Sequence, residues 1–245
     1  MPNILFSPAL LKLNRLCLAL VSLAVICISS SQAQASNLAA MDLQLSARSF
    51  GFPSFSAQGN LELKPQGNNQ YQMKLAANAR LGSLSEESRF SWQDGQISSQ
   101  SYSSTSRLTF FSEQKRYQFS DSRITGRVNN NQVDTANRQT LDPLNRILAI
   151  GLLAQDQDEF SLSSISWRSA NQQQFRVVER GMANTHLGQL DIMIVEQLGN
   201  RNSRFYYATE YPGMPILWQQ FDDERLEFEV RVESAQFAGQ TVLPN

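Results

Sequence analysis

Cysteine is scarce in this chain of 245 residues: there are two, Cys17 and Cys27, and both fall within the first 35 positions. The 210 residues after them have none. That excludes a disulfide framework, a thiol nucleophile, a Cys-ligated zinc site and an iron–sulfur centre from all but the first 35 residues. This portion must be held together by an apolar core, and it is long enough to bury one. Histidine is scarcer still, with His186 alone. Charge is also thin, at 18% of residues, and nearly balanced. Beyond residue 35 there are 19 basic and 22 acidic residues, a net charge of −3. A chain so close to neutrality has no bulk electrostatic reason to bind nucleic acid or an anionic membrane. The longest mainly apolar stretch, Leu16–Ile28, has 13 residues with Ser22 among them, short of the roughly 20 that a spanning helix needs.

The residues around that run read as an export signal. Lys12 and Arg15 precede it, and a polar, small-residue stretch after it ends in Ala33-Gln34-Ala35. A basic start, an apolar centre and an A-x-A site are the parts of a cleavable secretory leader. The expected organisation is a signal peptide over residues 1–35 and a single exported β-rich domain over 36–245, located in the periplasm. No transmembrane segment remains once the leader is removed. Lipidation is disfavoured, because Cys27 follows the bulky Ile26 and Cys17 opens the apolar run.

Beyond the leader, period-two alternation dominates. Leu61 to Lys64 alternates, Pro65-Gln66-Gly67-Asn68-Asn69 breaks the pattern, and Tyr71, Met73 and Leu75 resume it on one face. Phe90 and Trp92 lead into Asp94-Gly95, a dipeptide suited to a type I′ hairpin turn. From Leu226 to Glu233, apolar and charged residues alternate without interruption. The exception is Thr140–Leu153. Asp142 is suited to an N-cap and Pro143 to the first helical position. Leu144, Ile147, Leu148, Gly151 and Leu152 then recur at helical spacing. The expected fold is mainly β, with roughly ten strands in an antiparallel meander and one short internal helix. Such a sheet forms a curved sheet or half-barrel. It buries its concave face by closing as a barrel, by folding onto a second sheet, or by wrapping the helix.

Three segments resemble a family of exported bacterial proteins known as domain of unknown function 3108. They are Thr140-Leu141-Asp142-Pro143-Leu144, Arg180-Gly181 through Thr185-His186-Leu187-Gly188-Gln189-Leu190, and Arg204-Phe205-Tyr206-Tyr207-Ala208 with Pro215-Ile216 and the strand from Leu226. The resemblance implies an antiparallel half-barrel around a helix, somewhat like periplasmic lipoprotein carriers, and no established activity. The Ser-rich 96–106 stretch departs from the family pattern.

Few residues suggest chemistry. His186 has no Ser-x-Gly elbow and no second His beside it. Asp222-Asp223-Glu224 lacks the spacing and glycine of a calcium loop. No cofactor and no catalytic or metal-ligating residue is assigned. The aromatic residues are the better supply. Phe110 and Phe111 are adjacent, and Tyr206, Tyr207, Tyr211 and Trp218 bracket a Pro-rich loop. Their ordinary role is core, and their functional role would be the wall of an apolar groove. The leading expectation is a non-enzymatic periplasmic protein that binds a lipid or acyl chain in the concave face. The alternatives are an envelope assembly factor that binds another protein through edge strands or the Pro212–Pro215 loop, and a hydrolase using His186.

Cleavage before Ser36 is checked by intact mass of the protein purified from a periplasmic extract. A species starting at Ser36 is expected, and one retaining Cys27 would overturn the leader reading.

Overall fold

The computed structural model describes residues 37–51, 54–109, 111–199 and 203–242. The leader expected over 1–35 lies outside them. The first meander runs β1 (Met41–Ser49), β2 (Ser56–Gly67), β3 (Gln70–Ala79), β4 (Gly82–Gln93), β5 (Gln96–Leu108), β6 (Phe111–Phe119), β7 (Arg123–Val128) and β8 (Asn131–Ala136). A helix, α1 (Pro143–Asp156), comes next. The second meander is β9 (Glu159–Ser166), β10 (Ser169–Thr185), β11 (Gly188–Leu198), β12 (Ser203–Ala208), β13 (Pro215–Asp222) and β14 (Arg225–Phe237), with the short β15 (Gln240–Thr241) paired to β14.

Turn chemistry reverses the chain where the sequence suggests. Asn68 and Asn69 take positive φ between β2 and β3, Asp94 and Gly95 do so between β4 and β5, and Asn129 does so between β7 and β8. Within each meander every strand pairs antiparallel with the next. The two meanders become one sheet because β1 pairs with β14, from Met41 opposite Phe237 to Ser49 opposite Phe228. The strand order is therefore β8 to β1, then β14 to β9. The sheet is not closed into a barrel, and the gap lies between β8 and β9. The chain crosses from one edge to the other through α1, and Leu141 makes an isolated parallel bridge with Ser164 of β9 on the way. Of the three ways to cover the concave face, the fold wraps the helix. No helix among the described residues is long and apolar enough to cross a membrane.

The fifteen strands among the described residues exceed the ten expected. The difference lies in strands with little apolar signal. In β5, inward positions are filled by Ser104 and Ser106 as well as Tyr102, and the ladders to β4 and β6 supply the order. In β10 most side chains are polar or exposed, and Phe175 is its buried anchor. Pairing on both sides overrides a weak local propensity.

α1 begins as expected: the Asp142 carboxylate accepts from the Leu144 and Asn145 N–H groups, both at 2.9 Å, and Pro143 sits just after the cap. Its two sides face different parts of the core. Leu144 and Leu148 pack with Tyr71, Phe90, Tyr102 and Tyr117. Ile150 and Ala154 pack with Phe175, Met193, Phe205 and Tyr207. Tyr207 also donates from its hydroxyl to the Ile147 carbonyl at 2.7 Å, tying β12 to the helix. Gly151 makes this approach feasible: a Cβ there would lie 2.5 Å from the Tyr207 ring and 3.0 Å from the Gly213 Cα.

Alanine at 151 would gain about 1 kcal/mol of helix propensity but overpack a buried ring, an effect typically of about 1–3 kcal/mol. Gly151→Ala is expected to lower the thermal midpoint, and Gly151→Val to lower it further. An unchanged midpoint for Gly151→Ala would show that the helix seat has slack.

Candidate functional site

The inward positions of β1 to β4 fall in four rows across the sheet. Met41, Leu63, Met73 and Ser88 stand side by side. Leu43, Leu61, Leu75 and Glu86 form the next row, then Leu45, Gly59, Ala77 and Leu84, then Ala47, Ala57, Ala79 and Gly82. Side chains shrink along this series. The first row is buried against the core, and every member of it is at most 3% exposed. The last two rows leave space, and a cavity of about 380 Å³ occupies it. That volume lies within the roughly 300–1,000 Å³ usual for small-molecule sites.

The wall is almost wholly apolar. Leu45, Ala47, Ala77 and Ala79 line it together with Val230 and Val232 of β14 and Trp218 of β13, with Leu144 and Ile147 of α1 on one side. The cavity therefore sits astride the β1–β14 pairing. Phe55 and Leu108 line its open end and are 42% and 56% exposed. A run of ring contacts leads into it from the far edge: Phe160 on Phe175, Phe175 on Phe205, Phe205 on Trp218, Trp218 on Phe228, and Phe228 on Phe55, with centroids 5.4–6.3 Å apart. Such contacts stiffen a wall beyond the area they bury. The Trp218 indole N–H is buried and has no acceptor among the described residues.

Of the aromatic residues expected to form a groove, Trp218 lines this cavity. Tyr207 is fully buried in the core against α1, and burial raises its phenol well above the ordinary range. Tyr206, on the opposite face of β12, donates to the Gln219 side chain at 3.0 Å, and burial raises its phenol as well. Tyr211 packs edge-on against Phe237 at 5.3 Å. Phe111 is exposed beside the β5–β6 turn, and Phe110 lies outside the described residues. The cavity is made instead by alanines and glycines, which a search for bulky rings passes over. The signal was present as the taper Leu61-Gly59-Ala57 and Leu75-Ala77-Ala79 on inward positions.

His186 lies on the surface, where its Nε2 accepts from Arg231 at 2.5 Å, with Glu233 at 3.8 Å from Nδ1. It does not line the cavity. In the Asp222–Glu224 turn, Arg225 pairs with Asp222 and Glu227 at 3.7 and 3.8 Å.

A polar cluster of which the sequence pattern marks only the cap, Asp142, lies where α1 enters the sheet. Ser88 Oγ donates to the Asp142 carboxylate at 2.6 Å, and Ser99 Oγ accepts from the Asp142 N–H and the Asn145 amide. Burial pushes the Asp142 carboxyl up to about 7, against the opposing pull of Ser88 and the two capping N–H groups, and the nearby Glu86 pushes it the same way. Burial also raises Glu86, while Tyr102, Lys115 and Ser104 pull it down.

No family model matches this chain, and no curated protein matches it. Among solved structures it is similar to a β-barrel-like protein of domain of unknown function DUF1849 from Brucella abortus, with a TM-score of 0.58 and 7% identity over 82% of this chain and 99% of that one. At that identity the likeness is one of fold. It supports the barrel-like antiparallel architecture, and it does not extend to the family 3108 resemblance.

The Asp142 shift predicts a pH effect on stability. A carboxyl raised from 3.8 to about 7 contributes fully below pH 4, and that contribution is lost as pH climbs to about 7. Asp142→Asn keeps the capping acceptor, and Ser88 can turn to accept. Chemical denaturation from pH 4 to 8 should show wild-type stability falling by a few kcal/mol and the variant falling less, with Glu86 supplying the remainder. Equal slopes would overturn the assignment.

Proposed function

We propose that this protein is a non-enzymatic binder of an apolar ligand, an acyl chain of a lipid, acting in the periplasm after export. The observation that carries the reading is the cavity: an apolar hollow of about 380 Å³, open at one end and preformed on a sheet whose other concave half is filled by α1. Burying a chain there removes apolar surface from water at roughly 25 cal/mol per Å², a non-directional gain that selects for length and shape. A preformed hollow in the sheet favours this reading over the assembly-factor and hydrolase alternatives.

The protein, exported with its own leader and purified without detergent, is expected to carry a lipid-range mass in native mass spectrometry and to bind a fluorescent fatty acid. Ala77→Trp fills the third row of the wall and should weaken that binding at least tenfold with an unchanged circular dichroism spectrum. No bound mass and no fatty-acid binding by the wild type would overturn the proposal.

A further inference from the structure

Strands in an antiparallel meander turn alternately at the two ends of the sheet. The connections β1–β2, β3–β4 and β5–β6 therefore share one end, the end at which the cavity opens. Nine large apolar side chains are conspicuously exposed among the described residues, and five of them sit on or beside these three connections: Phe50, Phe55, Leu81, Leu108 and Phe111. Single exposed apolar residues need no explanation, but a cluster ringing a cavity mouth does.

Basic residues are interleaved with them. Arg48, Arg80 and Arg107 are exposed at the same end, and none forms an ion pair among the described residues. The Arg48 guanidinium lies over the Phe50 ring at 5.1 Å. Of the carboxylates at this end, Asp222, Asp223, Glu224 and Glu227 sit at the β13–β14 turn, where Arg225 meets two of them, and Glu229, opposite Arg48 in the β1–β14 ladder, is paired with Arg231 at 2.5 Å. The rim is thus polarised, basic and apolar across β1 to β6 and acidic at β13–β14. The net charge of −3 does not govern such a contact, because screening confines each charge to about 8–10 Å.

We infer that this rim docks on the surface of a membrane bearing anionic phospholipid. The arginines meet the headgroups, and the five apolar side chains enter the interface below them. That combination is the one by which peripheral proteins bind bilayers, apolar insertion plus attraction to anionic lipid. Docking this way sets the cavity mouth against the acyl layer, so a chain passes between bilayer and cavity without crossing water. Docking stands on the rim alone, and the passage of a chain rests on the proposed cavity function.

The test is co-sedimentation of the purified protein with vesicles of phosphatidylglycerol and phosphatidylcholine in equal parts, compared with phosphatidylcholine alone. Binding to the mixed vesicles is expected, weakened by salt and at least tenfold poorer without phosphatidylglycerol. Arg48→Gln/Arg80→Gln/Arg107→Gln should weaken it about a hundredfold, each arginine near the surface counting for about fivefold. Leu81→Ser/Leu108→Ser/Phe111→Ser should weaken it comparably. All six side chains are exposed, so thermal midpoints should not move. Arg89→Gln/Arg116→Gln/Arg176→Gln removes the same charge elsewhere and should have little effect. An equal loss in that control, no binding by the wild type, or a rim-dependent dimer in place of vesicle binding would overturn the inference. Ala77→Trp should still bind vesicles, and the arginine variant should still bind fatty acid in solution, so failure of the docking and failure of the cavity reading are told apart.

Discussion

A sheet of this length cannot leave its concave face bare, and the seat of α1 against that face is what the rest of the structure depends on. The seat is narrow. Gly151 lets the helix press on the Tyr207 ring, the Tyr207 hydroxyl reaches the Ile147 carbonyl, and Asp142 closes the first turn from within a polar cluster. A side chain at 151 would push the helix away from β12. The Asp142 carboxyl illustrates the competition. A helix N-terminus favours an anion, yet burial outweighs it and holds the proton to about pH 7. The fold places an acid where it can hydrogen-bond to Ser88 and cap the helix, and accepts the penalty of desolvating its charge.

The helix covers only part of the concave face. Leu144 and Ile147 reach the cavity wall, and beyond them Ala47, Ala57, Gly59, Ala77 and Ala79 are too small to meet anything across the hollow. Interiors are normally close-packed, so a series of small side chains across adjacent strands is a departure from ordinary core construction. Its placement between aromatic neighbours gives the wall rigidity as well as emptiness. Trp218 and Phe228 hold each other edge-on, and Phe205 stacks on Trp218 from behind.

Local features were the legible ones. Asp142-Pro143 and the apolar spacing after it identify α1 to within a turn, and Asp94-Gly95 and Asn68-Asn69 mark hairpins that the structure contains. These depend on neighbouring residues alone. The Ser-rich β5 was harder to read, because its order comes from ladders to β4 and β6 rather than from its own side chains. The pairing of β1 with β14 leaves no mark in sequence, since a backbone ladder carries no side-chain code for its partner. The cavity was half legible. The Trp218 ring is conspicuous in sequence, but the space in front of it is defined by side chains that are small and leave no comparable mark. Tyr207 shows the converse, a large ring spent on the core.

The β1–β14 ladder joins the first strand of the domain to its last long strand, and the cavity straddles it. The hollow therefore comes into being late in folding, only when both ends of the domain are in place. Until then β1 offers an unpaired edge, and a contact of such high sequence separation forms slowly. Once it is formed, a molecule lodged between Ala47 and Val230 touches both meanders at once. A molecule bound there would act as a clasp on the joint and lengthen the lifetime of the folded state, so that bound and unbound forms would differ in their rate of unfolding and in their resistance to proteolysis.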